Sequence, residues 1–137
     1  MNIKKYKNIP NGILTLQTIA MPSKINSNGN IFGGWIMSQI DLSGGILAKE
    51  ISGGKVSTLK IKKLIFYKPI NSGDLISCYS QIKKIGNTSI TIDIEIWIKK
   101  INSDYFGKFY QSTKATLIYV AIDNKGIPRK IFPISII

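Results

Sequence analysis

Most of this chain has the hydrophobic alternation of β-strands. The clearest example is residues 89–100, where five isoleucines at every second position alternate with polar residues and one tryptophan. This pattern predicts an antiparallel strand with one buried face. Less regular alternation, bounded by turns rich in glycine, proline and asparagine, predicts four more strands. The five predicted strands are 12–20, 55–70, 75–85, 89–100 and 105–123.

The stretch 26–54 has no strand periodicity, and most of it is predicted to form the single long helix. It begins with asparagine and glycine turn residues, continues through Gly33 and Gly34, and stops at Gly53 and Gly54. At about 100° per residue, one stripe of this helix is apolar and is expected to pack on a sheet. The stripe consists of Ile36, Ile40, Leu47 and Ile51.

Asp41 lies away from the apolar stripe, on a helix face of small residues that includes Gly44, Gly45 and Ala48. Two glycines inside a helix cost about 1 kcal/mol each relative to alanine, so we expect another part of the molecule to pass close to this face. A lone carboxylate in such a setting makes Asp41 the first candidate for chemistry. The alternative is a solvated carboxylate without a function.

The order of the elements predicts one α+β domain over residues 1–137, with a core at about 12–128 and a five-stranded antiparallel sheet. One helix covers only one face of such a sheet, and apolar residues occur on both faces, so we expect a homodimer at least. The mean hydropathy of +0.09 is typical of a globular protein. The chain has no signal-peptide pattern or membrane-length apolar run. Its one cysteine, Cys78, excludes an internal disulfide and predicts a buried thiol in a cytoplasmic protein.

The net charge of +12 arises from nineteen basic and seven acidic residues. Such an excess can indicate binding to nucleic acid or to an anionic membrane. Here the lysines are spread along the chain, without the aromatic interleaving of nucleic-acid modules. Isoleucine makes up about one residue in five, and eighteen of the nineteen cations are lysine. Compositional drift in a genome rich in A and T would produce the same usage without selection for binding, and we predict neither nucleic acid nor membrane as a partner.

The absence of histidine narrows the possible chemistry further. It excludes serine–histidine and cysteine–histidine nucleophile arrangements, and with one cysteine it leaves no ordinary zinc site. Acid–base chemistry must therefore come from the seven carboxylates, and no metal is predicted. Asp93 and Glu95, on the polar face of the alternating strand, are expected to pair with lysines.

Several blocks of residues together resemble the hot-dog-fold acyl-CoA thioester hydrolases of the YciA type. The longest block is 26–41, NSNGNIFGGWIMSQID, and the resemblance extends over about residues 14–128. Two departures occur: Asn30 stands where the family usually has aspartate, and the chain ends soon after the last strand. The other matching blocks are Met21-Pro22, Ala48-Lys49-Glu50, Phe66 with Pro69, Gly73-Asp74, Thr88-Ser89, and Glu95 and Trp97 with Lys99-Lys100.

The resemblance implies a sheet wrapped around a central helix, a homodimer with a continuous sheet, and commonly a hexamer built as a trimer of dimers. It also implies hydrolysis of acyl-CoA to a free acid and coenzyme A, without a cofactor. Asp41 matches the catalytic carboxylate, either as nucleophile or as general base on water. Asn26 matches a residue that holds water or the carbonyl, across the dimer; alternatively it only shapes an Asx turn. Gly33 and Gly34 would supply N–H donors at the helix start, or would simply be turn glycines.

Coenzyme A also brings a pantetheine arm and phosphates that the protein has to bind. Ser57 and Thr58 are predicted along the pantetheine, while other residues are predicted near the phosphates. For each of them the alternative is an ordinary surface or strand residue. A non-catalytic acyl-CoA binding protein of the same fold is the alternative function. The residues predicted near the phosphates are Gly86, Thr88, Ser89, Lys99 and Lys100.

Overall fold

The computed structural model of the protein describes residues 9–101 and 107–132, and these residues form one antiparallel sheet and one long helix. The strand order in the sheet is β1-β3-β4-β5-β2, so β1 and β2 are the two edges. This architecture confirms the predicted α+β hot-dog fold. The elements are β1 Ile13–Ile19, α1 Gly33–Ser52, β2 Val56–Phe66, β3 Leu75–Ile85, β4 Ser89–Lys99 and β5 Phe109–Ala121.

The core lies between α1 and one face of the sheet. The five alternating isoleucines of β4 are all at most 1% exposed, and they pack together with the four residues of the predicted helix stripe. Cys78 on β3 joins the same cluster, and burial raises the pKa of its thiol to about 12. The predicted core face of the helix and the predicted buried thiol are therefore confirmed.

The C-terminal end of α1 is closed by a glycine and by the one arginine of the chain. Gly53 adopts φ of 71°, in the left-handed region that favours glycine, and its N–H donates to the Lys49 carbonyl. The Arg129 guanidinium donates to the Ser52 carbonyl at 2.9 Å and to the Ile122 carbonyl at 3.0 Å. A planar fork of donors suits such two-way contacts better than an ammonium, so Arg129 ties the helix end to the segment after β5.

Two strand bounds differ from the sequence-based prediction by more than two residues. β2 ends at Phe66 and not at Ile70, because the N–H groups of Tyr67 and Lys68 both turn to the Ser112 carbonyl. Proline at position 69, which has no N–H, could not continue the ladder. β5 begins at Phe109; the predicted strand start at Tyr105 lies outside the described residues.

The edge strand β2 carries large apolar side chains that its own chain does not cover. Leu59 is 64% exposed and Ile61 is 44% exposed, and on α1 the side chain of Leu42 is 52% exposed. Exposed apolar groups along an edge strand are typical of a surface that another chain covers.

In the described part of the chain, no helix is both long enough and apolar enough to cross a membrane.

Candidate active site

Asp41 is the ninth residue of α1, and its carboxylate is exposed to solvent. The Thr58 hydroxyl, on β2, donates a hydrogen bond of 2.5 Å to the Asp41 oxygen Oδ1. The sheet thus orients a carboxylate that the helix alone would leave to rotate. Thr58 was predicted along the pantetheine arm; its contact with Asp41 was not foreseen.

The glycines beside Asp41 make room for Tyr119, on β5. A Cβ atom at Gly44 would clash with the Tyr119 hydroxyl and would lie 3.1 Å from the ring atom Cε2. The Tyr119 hydroxyl donates to the carbonyl oxygen of Asp41 at 2.8 Å. Burial raises the pKa of Tyr119, and the nearby charge of Asp41 raises it further, so the hydroxyl stays protonated. The expectation that something passes close to the helix glycines is confirmed.

A pocket of about 190 Å³ opens in front of the Asp41 carboxylate. It lies between α1 and the adjacent strands β2 and β5, so it has one charged acceptor, two hydroxyls and several apolar walls. A small pocket of this kind can hold a carbonyl compound next to a carboxylate. Its lining consists of Asp41, Leu42, Gly45, Ile46, Lys49, Val56, Thr58 and Tyr119.

The other predicted catalytic residues lie at the N-terminal end of α1. They are Asn26, Gly33 and Gly34. The Asn26 oxygen Oδ1 accepts the N–H groups of Asn28 at 2.8 Å and Asn30 at 3.2 Å. These bonds make the predicted Asx turn, and they leave the amide nitrogen Nδ2 outside it. Asn26 and Gly33 line a second pocket, of about 200 Å³.

The N-terminus of α1 is open to a ligand. Gly33 and Gly34 are its first two residues, whose N–H groups have no partner within a helix. The preceding residue, Phe32, makes no side-chain cap, and the first turn contains no acidic residue. Such a terminus favours a negative charge. Because eight residues separate Gly33 from Asp41, the two positions are about 12 Å apart along the helix axis.

The residues predicted to bind coenzyme A divide between the two ends of β4. Ser57 and Ser89 both pair with Val120, so they lie in one row, about 10 Å apart, at the end of the sheet near Asp41. By alternation their side chains point to the face opposite Thr58. Gly86 donates its N–H to the Ser89 carbonyl in the same turn, and Thr88 accepts from Ala121. Lys99 lies about 33 Å from Ser89, at the other end of β4.

Lys100 forms a buried ion pair that the sequence analysis did not foresee. Its ammonium donates to both carboxylate oxygens of Asp74, at 2.7 and 2.9 Å, and the residue is 9% exposed. Burial alone would lower the pKa of Lys100, but the hydrogen bond and the charge of Asp74 outweigh burial and raise it. A contact between Lys100 and a phosphate stays a prediction.

We expect Asp74→Asn to lower the free energy of unfolding by about 3 kcal/mol, because it leaves the Lys100 charge buried without a counter-charge. Urea unfolding at pH 7 measures this, with Glu50→Gln, an exposed carboxylate on α1, as the control. Since the folded-state pKa of Lys100 is raised, the stabilisation is complete below about pH 10.4 and is lost as the pH rises above that value. A native-like stability of Asp74→Asn between pH 6 and 9 would contradict the importance of this pair.

Among the described residues, no lysine forms an ion pair with Asp93 or Glu95, contrary to the prediction. Asp93 accepts the Thr116 hydroxyl at 2.6 Å, and the buried Glu95 accepts the Trp97 indole N–H at 2.8 Å. Trp97 stands two residues along the same face of β4, so its N–H reaches Glu95 without help from another strand. Within residues 9–101 and 107–132, the one ion pair is Lys100–Asp74.

The described residues contain no cluster of three or more histidine, cysteine, aspartate or glutamate side chains that could hold a metal ion. The pocket beside Asp41 offers one carboxylate, the ammonium of Lys49 and two hydroxyls. The absence of a cofactor stays a prediction.

A helix with a central carboxylate, wrapped by a five-stranded antiparallel sheet, defines the class of hot-dog enzymes and binding proteins. The sequence model of the Thioesterase superfamily matches residues 28–104. An uncharacterized acyl-CoA thioester hydrolase of Buchnera aphidicola subsp. Schizaphis graminum is 53% identical over 133 residues, with 97% of this chain and 98% of the relative covered.

Two further relatives cover most of this chain. The acyl-CoA thioester hydrolase YciA of Salmonella typhimurium is 50% identical over 122 residues, which are 89% of this chain and 92% of the relative. The crystal structure of the hexameric thioesterase y2039 from Yersinia pestis superposes with a TM-score of 0.86 at 48% identity, over 90% of this chain and 98% of that one. The chain belongs to the thioesterase superfamily, among the YciA-type acyl-CoA thioester hydrolases.

Proposed function

We propose that the protein hydrolyses acyl-CoA thioesters to a free carboxylic acid and coenzyme A, and that Asp41 is the reacting carboxylate. The observation that carries the proposal is the orientation of Asp41: an exposed carboxylate, held by Thr58, faces a small pocket in a chain without histidine. Relatives about half identical over nine tenths of the chain carry the name acyl-CoA thioester hydrolase, which supports the substrate class.

As a general base, Asp41 takes a proton from a water molecule while the water oxygen attacks the thioester carbonyl carbon. The carbonyl π electrons move to the oxygen, and N–H donors stabilise that oxyanion. When the carbonyl re-forms, the carbon–sulfur bond breaks and coenzyme A leaves as a thiolate, which takes up the proton held by Asp41 and so restores the carboxylate. Thr58 keeps the carboxylate oriented toward the water throughout.

As a nucleophile, Asp41 attacks the carbonyl carbon itself, so that thiolate departure leaves a mixed anhydride between the acyl group and the enzyme. Water then hydrolyses the anhydride and restores the carboxylate. Both routes use the same carboxylate and the same oxyanion donors, and both remain open for this protein.

The oxyanion donors for this reaction come from a second copy of the chain. An attacking group and the oxyanion donors must all lie about 3 Å from the same carbonyl. Within one chain, Asp41 and the Gly33 N–H are about 12 Å apart along α1. A two-fold axis perpendicular to α1 would make the two helices antiparallel and would bring Asp41 of one protomer toward Gly33, Gly34 and Asn26 of its partner.

The edge strand β2 suits this two-fold pairing. Its exposed apolar residues, Leu59 and Ile61, would be covered by the same strand of a second copy, and the sheet would become continuous. We expect the dimers to assemble further into a hexamer, the state named for the Yersinia pestis relative.

The predicted coenzyme A contacts near Asp41 fit the proposal better than those far from it. Ser57, Gly86, Thr88 and Ser89 lie at the sheet end closest to the Asp41 pocket, where backbone donors could follow a pantetheine arm. Lys99 lies at the opposite end of β4, so its charge can reach the same coenzyme A molecule only from another protomer. The mechanism requires no cofactor, and we expect it to operate in the cytoplasm.

Release of free thiol from a panel of acyl-CoAs, from acetyl to lauroyl, tests the function directly. We expect turnover at about 1–10³ per second for the preferred chain length, unaffected by EDTA. If no acyl-CoA is cleaved while coenzyme A still raises the melting temperature, the protein is a non-catalytic acyl-CoA binder. If neither effect occurs, the substrate class is wrong.

A further inference from the structure

Tyr119 is a buried residue that the proposed reaction leaves without a role. Its side chain is 1% exposed and extends from β5 to the backbone of α1. There the hydroxyl donates to the Asp41 carbonyl oxygen at 2.8 Å. A buried tyrosine normally finds some hydrogen-bond partner. In this case the partner is the backbone of the one residue whose side chain would react.

The helix is adapted to this contact. Glycine occupies position 44, where the Tyr119 hydroxyl touches α1, and even an added methyl group would clash with that hydroxyl. The added methyl group would also lie 3.0 Å from Ile94 Cδ1, closer than an ordinary van der Waals contact. A glycine in a helix interior costs about 1 kcal/mol relative to alanine, and this one gives the hydroxyl access to Asp41.

Two adjacent strands hold Asp41 at two points. Thr58 on β2 and Tyr119 on β5 are directly paired in register. Thr58 binds the carboxylate of Asp41, and Tyr119 binds its carbonyl. The paired residues Thr58 and Tyr119 therefore act together on Asp41. The first restricts the rotation of its side chain, and the second restricts the distance of its helix turn from the sheet.

We propose that Tyr119 is a positioning residue for thioester hydrolysis: its hydroxyl fixes the turn of α1 that carries Asp41, and so sets the distance between the carboxylate and the thioester. The inference rests on the proposed role of Asp41. Because a displacement of about 1 Å at a reacting group can cost about a hundredfold in rate, loss of this one hydrogen bond should be visible in kcat. Burial and the Asp41 charge keep the hydroxyl protonated, so Tyr119 acts as a donor and not as a base.

Tyr119→Phe removes the hydroxyl and keeps the ring. We expect kcat to fall about tenfold while KM stays within about twofold, because the variant still binds substrate but holds Asp41 less well. The pH dependence of kcat above pH 8 should be unchanged, since the lost hydroxyl does not titrate there. Tyr79→Phe, on the outer face of β3, is the control and should keep native kcat. Circular dichroism and gel filtration establish that each variant keeps its fold and oligomer size.

Gly44→Ala approaches the same contact from the helix side, by displacing the hydroxyl. We expect it to lower kcat as well, and the double variant with Tyr119→Phe to lose less than the product of the two single effects, because both act on one contact. If Tyr119→Phe changes the melting temperature but leaves kcat within twofold, Tyr119 has only a structural role. Fully multiplicative effects of the two changes would also overturn the proposal.

Asp41→Asn, assayed in parallel, separates this proposal from the function on which it rests. An inactive Asp41→Asn beside a fully active Tyr119→Phe would overturn the positioning role alone. An active Asp41→Asn would overturn the role of Asp41 in catalysis, and the role of Tyr119 with it.

Discussion

Asp41→Asn is expected to lower kcat for acyl-CoA hydrolysis by about a thousandfold while the fold and the oligomer size stay native. Asparagine has nearly the same shape as aspartate, and its amide oxygen can still accept the Thr58 hydroxyl. Its neutral amide can neither take a proton from water nor attack a carbonyl. A general base alone contributes about 10²–10⁴-fold, which sets the expected size of the effect.

The measurement is thiol release at saturating substrate, with Glu50→Gln as the matched control. Glu50 is an exposed carboxylate on the same helix, so its neutralisation should change kcat by less than about twofold. Activity within twofold of native in Asp41→Asn would remove Asp41 from the mechanism. A loss of similar size in Glu50→Gln would indicate that helix charge in general, and not the Asp41 carboxylate, controls the rate.

Mixed dimers of Asp41→Asn and Asn26→Asp are expected to regain activity that neither variant has alone. Asn26→Asp keeps an oxygen for the Asx turn, which binds the N–H groups of Asn28 and Asn30, but it removes the amide donor and adds a negative charge beside the oxyanion. If each site combines Asp41 of one protomer with Asn26 of its partner, a mixed dimer contains one fully native site and one doubly altered site.

Random pairing of equal amounts makes half of the dimers mixed, and half of the sites in these are native, so recovery should reach about a quarter of native activity. Co-expression of the two variants in equal amounts, followed by purification without selection for mixed dimers and by the thiol assay, measures it. Co-expression of native protein with Asp41→Asn calibrates the ratio of the two chains and should yield about half of native activity, however the chains pair. No recovery above the single variants would contradict a shared site, because a site within one chain always keeps its lesion.

The order and faces of the main elements could be predicted from sequence because they depend on local patterns. The period of two along β4 identified its five buried isoleucines, and the period of the helix identified the stripe that packs on the sheet. The two glycines at the end of α1 marked its C-terminus, and the helix glycines signalled a close approach before the approaching side chain was known. Asp41 could be chosen as the candidate catalytic residue because the chain has only seven carboxylates and because its face of the helix consists of small residues.

The partners of these residues could not be predicted in the same way. Thr58 and Tyr119 meet at Asp41 because β2 and β5 pair in one particular register, which includes irregularities between Thr58 and Lys60. Asp74 and Lys100 stand 26 positions apart and form a buried ion pair. Glu95 accepts a hydrogen bond from the Trp97 indole N–H, which the alternation along β4 did not predict.

By itself, then, the sequence determined the fold class, the core faces and the candidate carboxylate of this protein. The tertiary structure decided which side chains hold Asp41 and which lysine is already paired. The physical reason is that periodicity specifies the face on which a residue lies, whereas contacts across a sheet depend on long-range strand register, in which a single bulge changes every partner that follows.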